Sequence, residues 1–459
     1  MKNVIAVFDI GKTNKKVILF DQNLQVVFEH EERFPTITDE DGIECDDIDL
    51  IENWIKTTVE TLATDESYNL LGVNFSTYGA TLMYIGKDGK RLTPVYNYLK
   101  AMPEGVVEPL YGKWGGVEEF CRKTASPAKG MLNSGLQALW LKKIKPDVFT
   151  KVDMVLNFPQ YLSYILTGKL FSEYTSIGCH TAMWDFDVMQ YHPWLADEGI
   201  PVPQPIGNDH FEEITIKGKR IKIGIGIHDS SASLAPYVLG SPEKFILMST
   251  GTWCISMNPF NDEPLTADQL SKDCLCYMSV SKKPVKSSQL FMGHIHDVNV
   301  KRLTDYFQTD GNSYKKIKPE LNKIKEQIAN PQRHFFKAGV PNDYIDSTVD
   351  LSVFDNFESA YHQLIFDLTE LCVEALELII PKIDEGKNIY IAGGFAKNEI
   401  FVRYLALQFP SKKVYTSVVD NATALGTALV LWEKINKGEK SRIDLGLKEW
   451  VTTKPPSIK

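Results

Sequence analysis

The chain uses one local pattern twice, and that repetition limits what it can become. Val4–Phe20 and Phe245–Met257 both read as an apolar strand, a small polar turn containing glycine, and a second apolar strand. A single hairpin is common. Two of this kind, each opening one half of the chain, suggest a duplicated domain with a nucleotide between the halves. At 459 residues the chain is too long for one core, so two domains are expected. Residues 1–240 and 241–435 are taken as these halves, and the lysine-rich 436–459 as a solvated polar tail.

The first turn holds Gly11-Lys12-Thr13, the way a P-loop ends. A P-loop needs an earlier glycine and a following helix. Ala6 stands at the glycine position, and Lys16–Asp21 carries no helical stripe. The stretch therefore reads as strand, tight turn, strand. Asp9 closes the first strand beside glycine, threonine, asparagine and three lysines. Such a turn can present amides and hydroxyls to phosphate oxygens, and Asp9 can hold a magnesium ion, usually through water. Lys12 and Lys15 read equally well as solvated side chains.

Three further stretches can carry chemistry. Ser249-Thr250-Gly251-Thr252-Trp253 sets three hydroxyls around a glycine and suits a second phosphate cradle, or a plain hairpin turn. Gly226-Ile227-His228-Asp229 delivers an aspartate to the end of an apolar strand, before small residues that begin a helix. That position suits a general base near a helix N-terminus, and it suits an N-capping aspartate equally. Ile391-Ala392-Gly393-Gly394, before a helix expected from about Lys397, suits the approach of a flat ligand to the backbone, or a tight strand-to-helix turn. His294-Ile295-His296-Asp297, read as a strand, would put two histidines on one face without a third ligand, which is a poor metal site.

Elsewhere the periodicity predicts helices over Ile48–Ala63, Asn133–Lys143, Pro159–Leu166, Phe357–Ile380 and Asp420–Trp432. It predicts strands over Leu70–Ser76, Thr81–Ile85 (with a hairpin turn at Lys87–Lys90) and 221–229. Hydrophobic content of 43% and charged content of 24% are ordinary for a soluble globular protein. A net charge of −9 argues against nucleic-acid binding. The seven scattered cysteines suggest no disulfide framework. The start resembles a buried strand, not a signal peptide, and no apolar run reaches about 18 residues. The expectation is a reduced, cytoplasmic protein with no membrane partner.

The order of these elements resembles the FGGY family of carbohydrate kinases, from about Val4 to Trp432. Within it, His228–Ser233, Ser249–Trp253 and Asn421-Ala422-Thr423-Ala424-Leu425-Gly426 look most like the rhamnulokinase subfamily, then the L-fuculose kinases. The resemblance implies a two-domain α/β fold of the duplicated actin/hexokinase-like (ribonuclease H-like) kind, with a cleft between the lobes. It implies transfer of the ATP γ-phosphoryl group to a ketose hydroxyl, with a 6-deoxyketohexose as the favoured substrate and a ketopentose or polyol as the alternative. Asp229 would be the catalytic base and Asp9 would place Mg²⁺. Thr13, Asn14 and Lys16, with Gly251 and Thr252, would hold the phosphates. Gly393, Gly394 and Asn398 would flank adenosine, and Tyr78, Gly79 and His228 would line the sugar cavity. A homodimer is a further expectation. Two departures stand out: Lys12 in the first turn, and Val95-Tyr96-Asn97-Tyr98-Leu99-Lys100 where relatives often show Trp-Xaa-Asp-Xaa-Arg. A sugar-responsive regulator on the same fold is a rival that the retained Asp9 and Asp229 disfavour. An actin-like assembling ATPase is a second rival, disfavoured because residues 100–220 fit a sugar-cavity insertion.

Overall fold

The computed structural model describes residues 1–436 and 442–450. Two seven-stranded sheets organise them. In the first sheet, Lys2–Ile10, Lys15–Asp21 and Val26–Glu32 form an antiparallel meander. Tyr68–Thr77 then adds parallel to Lys2–Ile10, Lys219–Gly224 adds parallel beyond it, and Phe211–Ile216 closes the edge antiparallel. The second sheet repeats this plan. Phe245–Thr250, Cys254–Asn258 and Pro284–Leu290 are antiparallel neighbours, with Cys274–Met278 outside them. Asn388–Gly393 and Lys413–Thr416 add parallel on the other side, and Lys448–Trp450 closes that edge antiparallel. The repeated hairpin in the sequence is thus the visible part of a repeated sheet.

The central strands are apolar without alternation because both faces are covered. Successive side chains point to opposite faces. Val4, Ala6, Phe8 and Ile10 meet the helix Ile48–Thr64, while Ile5 and Val7 meet the helix Ala422–Ile435 from the far end of the chain. The exchange is mutual. Leu234 and Tyr237 of the helix Asp229–Gly240 pack with Phe245, Leu247, Met257 and Tyr390 of the second sheet. Each half therefore lends a helix to the other's sheet. The two lent helices touch at Gly426, where a Cβ would lie 1.9 Å from the Ala232 carbonyl oxygen. Between the strands Leu82–Gly86 and Phe211–Ile216 a helical insertion builds its own cluster around Trp140 and Trp194.

Several local expectations change in the folded chain. Leu82–Gly86 pairs with Val152–Asn157, not with the residues after its turn, which make one isolated bridge, Ile85 to Arg91. The strand over 221–229 breaks after Gly224 and resumes at Ile227–His228, because Gly226 takes a φ of 79° against Pro159. His294 and His296 lie on the helix Met292–Phe307, where His296 is buried against Tyr361 and Phe395. After Gly393 a 3₁₀ turn over Gly394–Lys397 precedes the helix Glu399–Gln408. The expected polar tail is partly structured: Leu445 is buried and Lys448–Trp450 joins the second sheet. The rest of that tail, 437–441 and 451–459, lies outside the described residues. All seven cysteines are free and buried.

Candidate active site between the lobes

The first turn closes with the Gly11 amide donating to the Asn14 carbonyl oxygen at 3.0 Å. The second closes with the Gly251 amide donating to the Trp253 carbonyl oxygen at 2.8 Å. Thr13 is exposed in one turn; Gly251, Thr252 and Trp253 are exposed in the other. Asn14 accepts from Arg33 Nε at 3.0 Å. Lys16 lies across the strand pair and donates to Glu29 at 2.8 Å.

Asp9 lies one residue before the end of the first strand and accepts from the Ser76 hydroxyl at 2.9 Å. Burial pushes its carboxyl up to about 6; the Ser76 bond opposes this and the charge of Asp229 adds to it. Two carboxylates from opposite ends of the first domain thus feel each other. Asp229 is the first residue of the helix Asp229–Gly240, half-exposed, and accepts from the Ser230 amide at 2.6 Å. His228, not Asp229, occupies the N-cap position: its Nδ1 accepts from the Ser230 amide at 3.2 Å. Burial keeps His228 below the usual imidazole range, against the pull of Asp229. The His228 amide donates to Thr175 Oγ1 at 3.0 Å, and that hydroxyl donates to the buried Glu173 at 2.8 Å. The base candidate is therefore set on a strand end pinned from below.

Gly79 faces the His228 ring so closely that a Cβ there would lie 2.5 Å from Nε2. Tyr78 beside it is buried and donates to Asp46 at 2.7 Å. A cavity of about 170 Å³ opens between the lobes, lined by Cys179, His180 and Ser230 on one side and Ser249, Tyr277 and Gln289 on the other. Burial, then His228 and Lys129, push His180 down to about 4. His180 and Ala182 both adopt left-handed backbone, as does Ala80 after Gly79. Such conformations persist only where the surroundings impose them, and they gather at functional sites. No sequence motif marked His180; its strained backbone is visible only in the fold. Tyr96, in the segment where relatives often show Trp-Xaa-Asp-Xaa-Arg, is a core residue, edge-on to Trp140.

A second cavity, about 400 Å³, is walled by Tyr314, Ile317, Lys318, Tyr361, Gly394 and Asn398. Asn398 caps the helix Glu399–Gln408 through its side-chain oxygen and donates to the Tyr361 hydroxyl at 3.0 Å. Gly393 stands in the strand just before it, where a Cβ would lie 1.9 Å from the Thr250 carbonyl oxygen. The sequence marked the glycines and Asn398 but not Tyr314, Lys318 or Tyr361, which come from distant segments. Among the described residues, Glu320, Glu358 and His362 group within metal-ligand reach; His294 and His296 do not.

Residues 4–201 match the model for the FGGY family of carbohydrate kinases, N-terminal domain. The chain carries the N-terminal domain of the FGGY carbohydrate kinases. It is 24% identical to a rhamnulokinase of Oceanobacillus iheyensis, over 92% of this chain and 91% of that one. It is 23% identical to a rhamnulokinase of Halalkalibacterium halodurans, over 95% of each. The chain also superposes on a carbohydrate kinase from Novosphingobium aromaticivorans, with a TM-score of 0.76, 23% identity and coverage of 97% and 95%. A xylulose kinase from Lactobacillus acidophilus gives a TM-score of 0.75 at 17% identity, with coverage of 98% and 93%. The fold is the two-lobed α/β fold of the sugar kinases, and the N-terminal domain match and the rhamnulokinase relatives support a sugar kinase. No helix among the described residues is long and apolar enough to cross a membrane.

Proposed function

We propose that this kinase transfers the γ-phosphoryl group of ATP to a terminal hydroxyl of a ketose, with a 6-deoxyketohexose such as L-rhamnulose or L-fuculose as substrate. The observation that carries the reading is the placement of Asp229. It stands half-exposed at the start of a helix lent across the lobes, within electrostatic reach of Asp9. Asp229 accepts the proton of the attacking hydroxyl. Phosphoryl transfer needs little covalent help, so the remaining work is positioning and charge neutralisation. Thr13, Asn14 and Lys16 hold phosphate oxygens from the first lobe, and Gly251 and Thr252 from the second. To do so, Lys16 must leave Glu29. Gly393, Gly394 and Asn398 flank adenosine beside the larger cavity, and Tyr78, Gly79 and His228 line the sugar side.

The donor set fits a divalent cation. Asp9 is a crowded carboxylate beside a serine hydroxyl, pushed up by burial and by Asp229. A hard cation there relieves both pressures, and magnesium prefers such oxygen ligands with retained water. When bound, Mg²⁺ supplies charge neutralisation on the phosphates; Asp9 orients it. Residues 1–240 and 241–435 act as two bodies that close over the substrates and exclude water. The 6-deoxyketose preference is supported by two rhamnulokinase relatives matched over more than nine-tenths of each chain.

Two measurements test the reading. A kinase screen over ketoses and deoxyketoses should give the 6-deoxyketohexoses the highest kcat/KM. A best substrate among xylulose, ribulose or glycerol would remove the substrate assignment and leave the kinase assignment. Asp229→Asn should lower kcat by at least ~10²-fold with ATP binding nearly unchanged; near-normal turnover would make Asp229 a structural residue.

A further inference from the structure

We propose that Lys12 reads the acceptor sugar, held in that position by Asp46 and Lys15. The inference rests on the ketose kinase reading above. Lys12 immediately precedes Thr13 in the first phosphate turn, yet its ammonium points to the sugar wall. It donates to Asp46 Oδ2 at 2.7 Å and lies 5.4 Å from the Tyr78 ring centroid and 6.0 Å from that of Tyr98. The two rings meet edge to face at 6.4 Å. Tyr78 adjoins Gly79, which abuts His228, the residue before the base. One continuous wall therefore runs from Asp229 to the Lys12 ammonium.

Asp46 fixes this arrangement. Its carboxylate also accepts from Lys15 at 2.8 Å and from the Tyr78 hydroxyl at 2.7 Å. Burial works against the charged form, but the bonds from Lys12, Lys15 and Tyr78 outweigh it and hold the carboxyl below its usual range. Two ammonium groups share one carboxylate, leaving the site one positive charge in excess. The Lys15 side chain is 3% exposed, and its ammonium donates to Asp46 and the Lys12 carbonyl oxygen. The Lys12 side chain is 31% exposed, and an ammonium has three N–H donors. Lys15 keeps one donor and it is buried, whereas Lys12 keeps two on a partly exposed ammonium, so the reachable charge and donors are at Lys12.

A tyrosine platform edged by an ammonium suits a ketose. The C–H face of the sugar rests on the rings while its oxygens accept from the cation. The nearby Lys100 cannot take this part. Its side chain is 8% exposed, and its ammonium is locked to Asp39 at 2.6 Å and Asp41 at 2.5 Å. A phosphate role for Lys12 would require breaking its bond to a carboxylate that the fold keeps charged.

Lys12→Met separates the cases. The sugar KM of the best ketose should rise roughly 10- to 100-fold, as expected for a lost hydrogen bond to a charged group, and more than kcat falls. The ATP KM should move less than about 3-fold, within the effect of a weak exposed contact. Calorimetry should show the same loss of sugar affinity without ATP present. Lys12→Arg keeps the charge on a longer, planar head and should restore part of the affinity while changing the rank order of ketoses; it also serves if the methionine variant does not fold. A rise in ATP KM in place of sugar KM, or no change in either, overturns this inference and leaves the kinase reading standing. A wild-type chain that neither binds nor phosphorylates any ketose overturns the ketose reading and this inference with it.

Discussion

The two hairpin turns, at Gly11 and at Gly251, occupy equivalent places in equivalent sheets, and they are held by opposite means. The first is tied down by charged side chains. Lys12 and Lys15 clamp Asp46, Arg33 holds Asn14, and Lys16 pairs with Glu29. The second contains no charged residue from Ser249 to Trp253. Its shape comes from backbone crowding that only glycine permits. A Cβ on Gly293 would lie 2.2 Å from the Gly251 carbonyl oxygen, and one on Gly393 would lie 1.9 Å from that of Thr250. Thr250 Oγ1 adds a bond to the Ala392 carbonyl oxygen at 2.5 Å and receives one from the Phe395 amide at 3.0 Å. Electrostatic ties can be changed one side chain at a time, and the first turn is where this chain departs from its family pattern. A turn built from close backbone contacts tolerates no such editing.

The contrast breaks most visibly at Gly393. Its φ of 87° and ψ of −155° belong to a region that essentially only glycine occupies. Gly393→Ala should destabilise the chain by about 3 kcal/mol or more, from strain plus the clash with Thr250. Denaturant unfolding reads this directly. A loss below about 1 kcal/mol, the ordinary effect of a point substitution, would show that the second turn adapts as freely as the first.

Asp9 tests the electrostatic side. Its folded value of about 6 lies above the ordinary 3.8. Between those values the folded chain holds a proton that the unfolded chain has released. Metal-free stability should therefore fall as pH rises through this window and level off above it. Asp9→Asn removes that cost and should stabilise the metal-free chain at pH 7 by at most about 3 kcal/mol, at ~1.4 kcal/mol per pH unit. The same variant should lose the Mg²⁺ dependence of turnover. In the wild type, Mg²⁺ affinity should weaken as pH falls through about 6, because the proton on Asp9 competes with the metal. Thermal melts across pH, with and without Mg²⁺, check both; a pH-independent Mg²⁺ response would remove Asp9 from the metal site.

The smallest effect is expected at Lys16. Its pair with Glu29 is partly exposed, so Lys16→Met should change stability by less than about 1 kcal/mol. ATP KM should still rise, by about 5-fold, if the side chain leaves Glu29 for phosphate. An unchanged ATP KM would leave Lys16 as a surface ion pair and assign phosphate binding in the first turn to Thr13, Asn14 and the backbone.

What the sequence determined by itself was local. Strand and helix periods, the two polar turns, and Asp9 and Asp229 at strand ends were legible because side-chain alternation and chain breaks are properties of a few neighbouring residues. The repeated hairpin even announced the second sheet. The tertiary structure decided everything that depends on distant segments meeting. Lys12 and Asp46 lie 34 residues apart, and nothing near either one specifies their bond. His228 capped the helix that Asp229 seemed placed to cap, because the strand end turns that ring onto the Ser230 amide. Tyr314 and Tyr361 reach the larger cavity from separate helical segments. Leu445 becomes buried core and Lys448–Trp450 an edge strand because the second sheet leaves Lys413–Thr416 unpaired on one side. The exchange of Asp229–Gly240 and Ala422–Ile435 between the lobes leaves no mark in periodicity, since an apolar stripe is the same whichever sheet it covers. Hydrophobic pattern fixes that a face will be buried; only packing of the whole chain selects the face it meets.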